Sequence, residues 1–429
     1  MKEYYKRIFD RELSLKLKAF GAVLIEGPKW CGKTTTAKQL AKSYIEMQDP
    51  EKKTEYFQTA NISPSLLLIG EKPRLIDEWQ MAPSLWDAVR VSVDRISEPG
   101  QYILTGSNSV NNENISHSGT GRIDRTIMYP MSLYESRESN GTISLLSLFN
   151  DKAILNNGCI SNLSITDLVY ATCRGGWPAA VMLKDKEASL SIAKSYLNSV
   201  CKVDVSSVDK KTRDESLTKM LLRSYARNIS TFASNETVLK DINSNYEMSK
   251  TSYYDYVNAL KKLYIIQDVE AWCPAIRSKA MIQASNKKEL IDPSLVVASL
   301  GLKPEYFNTD LKTFGFIFET LVCRDLRIYA SSMGGQLSYY HDRYGLESDF
   351  VLHLEDGRFA LIEVKLGSAE IEDGAKHLLK IEKLIIEYNL KEKQCPLRLP
   401  DLKIIITGGQ YGYKREDGVF VIPIGCLKD

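Results

Sequence analysis

The run Gly27, Pro28, Lys29, Trp30, Cys31, Gly32, Lys33, Thr34 fills the pattern G-x-x-x-x-G-K-[ST] of a phosphate-binding loop. Its two glycines let the backbone wrap a phosphate with N–H groups turned inward. Lys33 is placed to reach the β/γ oxygens of ATP, the Thr34 hydroxyl to complete a Mg²⁺ shell, and Thr35 opens a helix whose free N–H groups face the anion. Downstream, Leu75 and Ile76 run into Asp77 and Glu78. A nucleotide site needs these two carboxylates, Asp77 to hold Mg²⁺ and Glu78 to orient the attacking water. A second set of charges lies far along the chain: Glu319 among apolar neighbours, then Asp349, then Glu363 and Lys365 two residues apart.

Smaller groups supplement the first site. The apolar run Gln101 to Thr105 ends in Gly106, Ser107 and Asn108, and ligands of open α/β sheets gather at such strand ends. Thr105, Ser107 and Asn108 are candidates to sense a γ-phosphate, Asn108 being preferred for an amide that both donates and accepts. Arg122 and Arg125 are candidates to stabilise developing phosphate charge, within one subunit or across a homo-oligomer. For each a surface salt bridge is the competing reading. Cys31, beside Lys33 and a helix N-terminus, is expected to favour thiolate, so alkylation should block ATP binding and ATP should protect it.

The elements that must position these groups are legible from periodicity. Residues 21–26 form a short apolar strand ahead of the loop, as buried parallel strands are, and residues 34–42 the helix behind it. Pro83 starts an amphipathic helix. Residues 164–173 form a helix stopped by Gly175, Gly176, Trp177 and Pro178. A short helix at 235–242, a longer one capped by Ser249 and a β-rich 264–269 spell helix-turn-helix with a trailing hairpin. Lys250, Thr251, Tyr254, Lys261 and Lys262 are its candidate DNA contacts. Residues 348–352 and 359–365 alternate apolar and polar around the turn at Glu355, Asp356 and Gly357, which makes an antiparallel pair with Glu363 and Lys365 on one face. Residues 313–322 form a helix carrying Glu319, and 402–407 a closing strand.

Composition narrows the classes. With 429 residues there is room for two to four domains, while 44% hydrophobic and 26% charged residues at a net charge of +2 describe an ordinary globular chain with no bulk attraction to nucleic acid or membrane. The eight cysteines form no C-x-x-C pair and share no ligand spacing with the four histidines, which argues against disulfides and structural zinc. No apolar run nears the roughly 18 residues of a membrane span, so the expected compartment is the cytoplasm.

The phosphate loop, the Leu-Ile-Asp-Glu box followed by Trp79 and Gln80, the Thr-Gly-Ser segment, the Gly-Arg pair and the run Tyr129 to Glu135 resemble AAA+-type ATP-binding proteins of bacteria and archaea. Those proteins end in a domain long classed as of unknown function. The resemblance implies a sheet in which a sensor strand separates the strands bearing the loop and the Asp-Glu box, and a helical lid containing the Gly-Gly-Trp-Pro element, with Arg174 as a lid arginine for the phosphate; capping of the preceding helix is the competing reading for Arg174. Glu319, Asp349, Glu363 and Lys365 resemble the PD-(D/E)xK nuclease fold. In that fold Asp349 and Glu363 bind Mg²⁺, Glu319 completes the site and Lys365 positions hydroxide. The expected architecture is α/β: a P-loop NTPase core at 1–145, a helical lid at 146–205, a winged helix at 206–275 and a nuclease-like domain at 276–429. The expected function is Mg²⁺-dependent ATP hydrolysis coupled to a domain acting on or binding DNA. The alternative is a nucleotide-switched interaction protein whose nuclease-like domain does not cut.

Overall fold

The computed structural model describes residues 3–106, 118–209, 211–274, 285–392 and 394–429. The chain folds as two compact units. Met1–Pro130, Val203–Thr212 and Val257–Ile265 form the first; Met131–Lys202, Arg213–Tyr256 and Ile266–Asp429 form the second. This grouping differs from the four-part division expected above, because residues 131–145 and the helical stretch after them cluster with the C-terminal domain.

The first unit is built on five parallel strands, β1 (Ala22–Glu26), β2 (Ser43–Glu46), β3 (Arg74–Asp77), β4 (Tyr102–Thr105) and β5 (Ile123–Ile127), in the order β2-β3-β4-β1-β5. β4 separates β1 from β3, the order that the resemblance implied. β1 is buried throughout because it has strands on both sides and helices on both faces. Ala22 and Leu24 pack with Leu85, Trp86, Val89 and Val93 of the helix Ser84–Ile96. Val23 and Ile25 point to the opposite face and meet Phe9, Leu13 and Leu17 of the helix Phe9–Ala19. Leu75 and Ile76 of β3, and Ile103 and Leu104 of β4, divide between the two cores in the same way. The period-2 alternation of strands and the i, i+4 spacing of the helices therefore specify one sheet with two cores. Each fully buried Leu or Ile contributes roughly 1.5–3 kcal/mol.

The second unit contains β6 (Ile143–Ser144), β7 (Cys159–Ile160), β8 (Gly335–His341), β9 (Glu347–Leu354), β10 (Phe359–Lys365), β11 (Leu402–Thr407), β12 (Tyr411–Lys414), β13 (Phe420–Pro423) and β14 (Leu427–Lys428). Seven of them form one sheet in the order β7-β12-β13-β11-β10-β9-β8, and β14 pairs with β6. The expected antiparallel pair is β9 and β10, with Phe359 opposite His353. The closing strand β11 runs parallel to β10. Ile371, Ala375, Leu378, Ile381 and Ile385 of the helix Ile371–Lys391 cover one face, on Val351, Leu361, Ile405 and Val421.

Two expectations change here. The stretch read as a helical lid does contain helices, Ile165–Arg174 and Lys186–Ser199 among them, but it also supplies β7 as an edge strand of the C-terminal sheet. The helix Ile165–Arg174 ends at Gly175 with φ +76°, as the Gly-Gly stop predicts. A Cβ on Gly176 would meet the Met131 carbonyl oxygen at 2.1 Å, and Trp177 Nε1 donates to Ser294 at 3.0 Å. In the winged-helix stretch three helices follow one another, Glu215–Arg227, Asn235–Ile242 and Lys250–Lys262, with the Ser249 hydroxyl accepting from Ser252 N. The trailing hairpin is reduced to single bridges, Ile266 to Leu290 and Val269 to Lys287. The eight cysteines are free thiols. No helix among the described residues is long and apolar enough to cross a membrane.

Candidate functional site

The end of β1 turns sharply at Gly27, whose φ of +138° only glycine adopts readily, and a Cβ there would strike the Met128 carbonyl oxygen at 2.3 Å. Gly32 (φ +103°) leads into the helix Lys33–Leu40. Lys33 is buried and donates to the carbonyls of Gly27 at 2.9 Å and Pro28 at 2.7 Å. Lys29 pairs with Asp204 at 2.6 Å, and Trp30 stands exposed at the loop tip with φ +66°. Thr35 lies in the helix's first turn.

The pairing of β3 with β4 sets Asp77 opposite Thr105. Asp77 Oδ1 accepts from the hydroxyls of Thr34 and Thr105, each at 2.6 Å. The Thr105 hydroxyl also accepts from Glu78 N at 3.3 Å. One threonine thus holds both members of the acidic box, so Thr105 is the sensor candidate that the structure places in the site. Ser107 and Asn108 lie outside the described residues. Glu78 sits in the left-handed region (φ 55°, ψ 46°), which costs a non-glycine residue about 1–2 kcal/mol and turns its carboxylate out of the strand. Gln80 Nε2 donates to Glu78 Oε2 at 2.5 Å. Burial pushes the Glu78 carboxyl above the usual range; Lys33 pulls it back and Asp77 adds to the rise. The Thr34 hydroxyl and the Asp77 carboxylate are hard oxygens within reach of one another, and the glycine cradle is one a Cβ would fill. The residues present therefore fit Mg²⁺ and a nucleotide phosphate.

Arg122 does not belong to this site within its own subunit. β5 runs parallel to β1 with Ile123 opposite Ala22, so Arg122 lies at the sheet's N-terminal end, roughly 20 Å along the strand from the loop. There it pairs with Asp94 at 2.6 Å. Arg125 lies opposite Leu24 with its guanidinium over the Trp86 ring at 5.0 Å. Arg174 is buried against Glu138 at 2.5 Å, within the second unit. The reactivity expected of Cys31 is also corrected: its side chain is fully buried in the core with Phe9 and Leu13, out of reach of an alkylating reagent. A residue that spacing missed is Arg7, buried, donating to the carbonyls of Cys31 at 2.9 Å and Tyr129 at 2.8 Å. It braces the loop from behind, and nothing in its local sequence marks it.

In the second unit the four expected groups do come together. Glu363 Oε2 meets Lys365 Nζ at 2.8 Å, and Lys365 Nζ is 3.9 Å from Asp349 Oδ2. Asp349 Oδ2 also accepts from Val364 N at 2.8 Å, a bond across the β9–β10 pair. A fifth group joins them. Lys287, 2% exposed, bonds Glu319, donates to the Asp349 carbonyl at 3.2 Å and lies 3.7 Å from Asp349 Oδ1. Desolvation pushes the Glu363 carboxyl up to about 8, with Asp349 adding to the rise and Lys365 opposing it. Burial holds the Glu319 carboxyl well above its usual range, against the pull of Lys287. The signal for Lys287 was a triplet, Lys287, Lys288 and Glu289, that reads as a solvated charge run; all three are buried. Among the described residues, no three His, Cys, Asp or Glu side chains are arranged to hold a metal ion.

Residues 19–136 match the AAA domain family, residues 165–306 a domain of unknown function (DUF8612) and residues 314–427 another domain of unknown function (DUF4143). The matches thus place an AAA domain over residues 19–136 and a DUF4143 domain over residues 314–427. Two uncharacterized proteins, from Mycobacterium bovis and Mycobacterium tuberculosis, are each 21% identical to it over 410 residues, covering 94% of this chain and 79% of theirs. A Walker-type ATPase of Pyrococcus abyssi is similar over 69% of this chain and 96% of its own, at 12% identity and a TM-score of 0.43. A signal transduction ATPase with numerous domains and a tetratricopeptide repeat sensor, from Pyrococcus horikoshii, is similar over 76% of this chain and 48% of its own, at 14% identity and a TM-score of 0.26.

Proposed function

We propose that this chain hydrolyses Mg·ATP at the loop Gly27–Thr34 and that residues 206–429, read as a winged helix joined to a PD-(D/E)xK-like domain, bind DNA under the control of that cycle. The observation that carries the ATPase reading is the bridge from Thr34 through Asp77 to Thr105, with Glu78 next in the chain. Thr34 and Asp77 would hold Mg²⁺, which would supply positive charge to the phosphate oxygens. Lys33 turns its ammonium from the loop carbonyls to the β/γ oxygens. Glu78 accepts a hydrogen bond from the attacking water and holds its proton, a role suited to a carboxyl whose pKa burial has raised. The N–H groups of the loop and the first helical turn orient the phosphates. Lys33→Ala should abolish hydrolysis. Glu78→Gln should keep ATP binding and slow turnover; loss of binding by that variant would remove the assigned role.

The DNA reading is supported by Lys250, Thr251 and Tyr254, exposed along one helix that follows a short capped helix. The PD-(D/E)xK reading is supported by the placement of Glu319 on a helix, Asp349 on β9 and Glu363 with Lys365 on β10. Fluorescence anisotropy with duplex DNA, with and without ATP, tests the partner. Binding that weakens in Lys250→Glu is expected, and no binding in either nucleotide state would eliminate DNA.

A further inference from the structure

The acidic cluster of the C-terminal domain is an alternating row: Glu319, Lys287, Asp349, Lys365, Glu363. Each gap between neighbouring carboxylates contains an ammonium group. A divalent ion shared by Glu319 and Asp349 needs an oxygen of each at about 2.0–2.6 Å, and the space that satisfies both is where Lys287 Nζ lies. Its ammonium pairs with the Glu319 carboxylate and donates to the Asp349 carbonyl, and the Phe350 ring lies 4.9 Å away. The side chain is almost wholly buried, so it cannot swing into water without opening the core. Glu363 Oε1 is buried without a hydrogen-bond partner, so the cluster retains an oxygen that a cation would satisfy. A metal ligated by both Glu319 and Asp349, the arrangement in which Glu319 completes the nuclease-like site, therefore does not fit while Lys287 fills that gap.

We propose that Lys287 is the resident cation of this cluster: it occupies the gap through which Glu319 would join a metal held by Asp349 and Glu363, and so holds the domain together without metal and without DNA cleavage. The site is a metal centre in latent form, closed by one side chain from outside the Asp349, Glu363 and Lys365 set. This does not depend on the ATPase reading, since it concerns different residues and is read without nucleotide.

The test uses the full chain without nucleotide, in a Lys33→Ala background that silences the phosphate loop. Mn²⁺ binding is followed by the loss of the free-ion electron paramagnetic resonance signal, and folding by thermal melting. Wild-type Lys287 should show no Mn²⁺ binding that depends on Asp349. Lys287→Ala should gain one bound ion, lost again in Lys287→Ala with Asp349→Asn, and saturating Mn²⁺ should raise the melting point of Lys287→Ala by about 5 °C more than that of the Lys287 protein. Separately, the wild-type chain with plasmid DNA and Mg²⁺ or Mn²⁺ should produce no nicks. Asp349-dependent Mn²⁺ binding or DNA cleavage by the Lys287 protein would overturn the proposal. So would a Lys287→Ala variant that folds without gaining an ion, or one that no concentration of Mn²⁺ restores to the folded state.

Discussion

At the phosphate loop Asp77 faces two hydroxyls, those of Thr34 and Thr105, each 2.6 Å from Oδ1. In the C-terminal domain Asp349 faces two ammonium groups, those of Lys287 and Lys365, at 3.7 and 3.9 Å. Hydroxyl partners orient a carboxylate while leaving its full negative charge to attract a cation. Ammonium partners neutralise that charge, and in a dry interior the pair must stay together, because separating it leaves an uncompensated ion. Similar carboxylates are thus poised for exchange in one unit and locked in the other. A motif of acidic residues tells the two cases apart only through the partners that the fold brings to it.

The largest expected contrast is in turnover. Asp77→Asn should lower ATP hydrolysis by about 10²–10³-fold, whereas Asp349→Asn, acting at a separate site, should leave it within about twofold. Steady-state rates under saturating Mg·ATP measure both, and a slow Asp349→Asn enzyme would break the comparison. Stability should show the reverse order. Lys287→Ala should cost roughly 3–5 kcal/mol by exposing the Glu319 and Asp349 charges to each other. Lys33→Ala, which only releases two loop carbonyls, should cost about 1–2 kcal/mol. Urea unfolding followed by circular dichroism reads these values, and equal midpoints would sink the distinction between exchangeable and locked partners. A more modest loss is expected for Thr105→Val, about tenfold in kcat from freeing Asp77 and the Glu78 backbone; Thr105→Ser should recover most of it. The smallest effect is in the pH profile. Burial raises the Glu78 carboxyl, so protonation as pH falls removes the ionised form earlier than for a free glutamate near about 4.3. The acid limb of kcat should therefore begin above that value and disappear in Glu78→Gln; a limb unchanged in that variant would assign it to another group.

Much of the first unit was legible because its signals are local. The loop motif, the strand ahead of it, the helix behind it and the Asp-Glu box at a strand end are all features in which spacing along the chain is spacing in space. The hairpin of β9 and β10, with Glu363 and Lys365 on one face, was readable for the same reason. For Arg122 the structure shows the surface salt bridge, because following a strand in sequence is not the same as lying at its C-terminal end. The register of β5 against β1 decides that, and register is not written in either strand alone. Cys31 was misjudged because a loop motif reveals backbone geometry but not which side chain turns inward.

Sequence alone determined the residues that can meet a phosphate and the strands that present them, since hydrophobic periodicity and glycine conformation act over a few residues. Tertiary structure decided what those charges are worth. Lys287 reaches the Asp349 carbonyl across 62 positions, and β7 joins a sheet whose other strands lie far downstream. Such contacts arise where burying apolar surface forces distant segments together, and the polar groups carried along must find partners where they land.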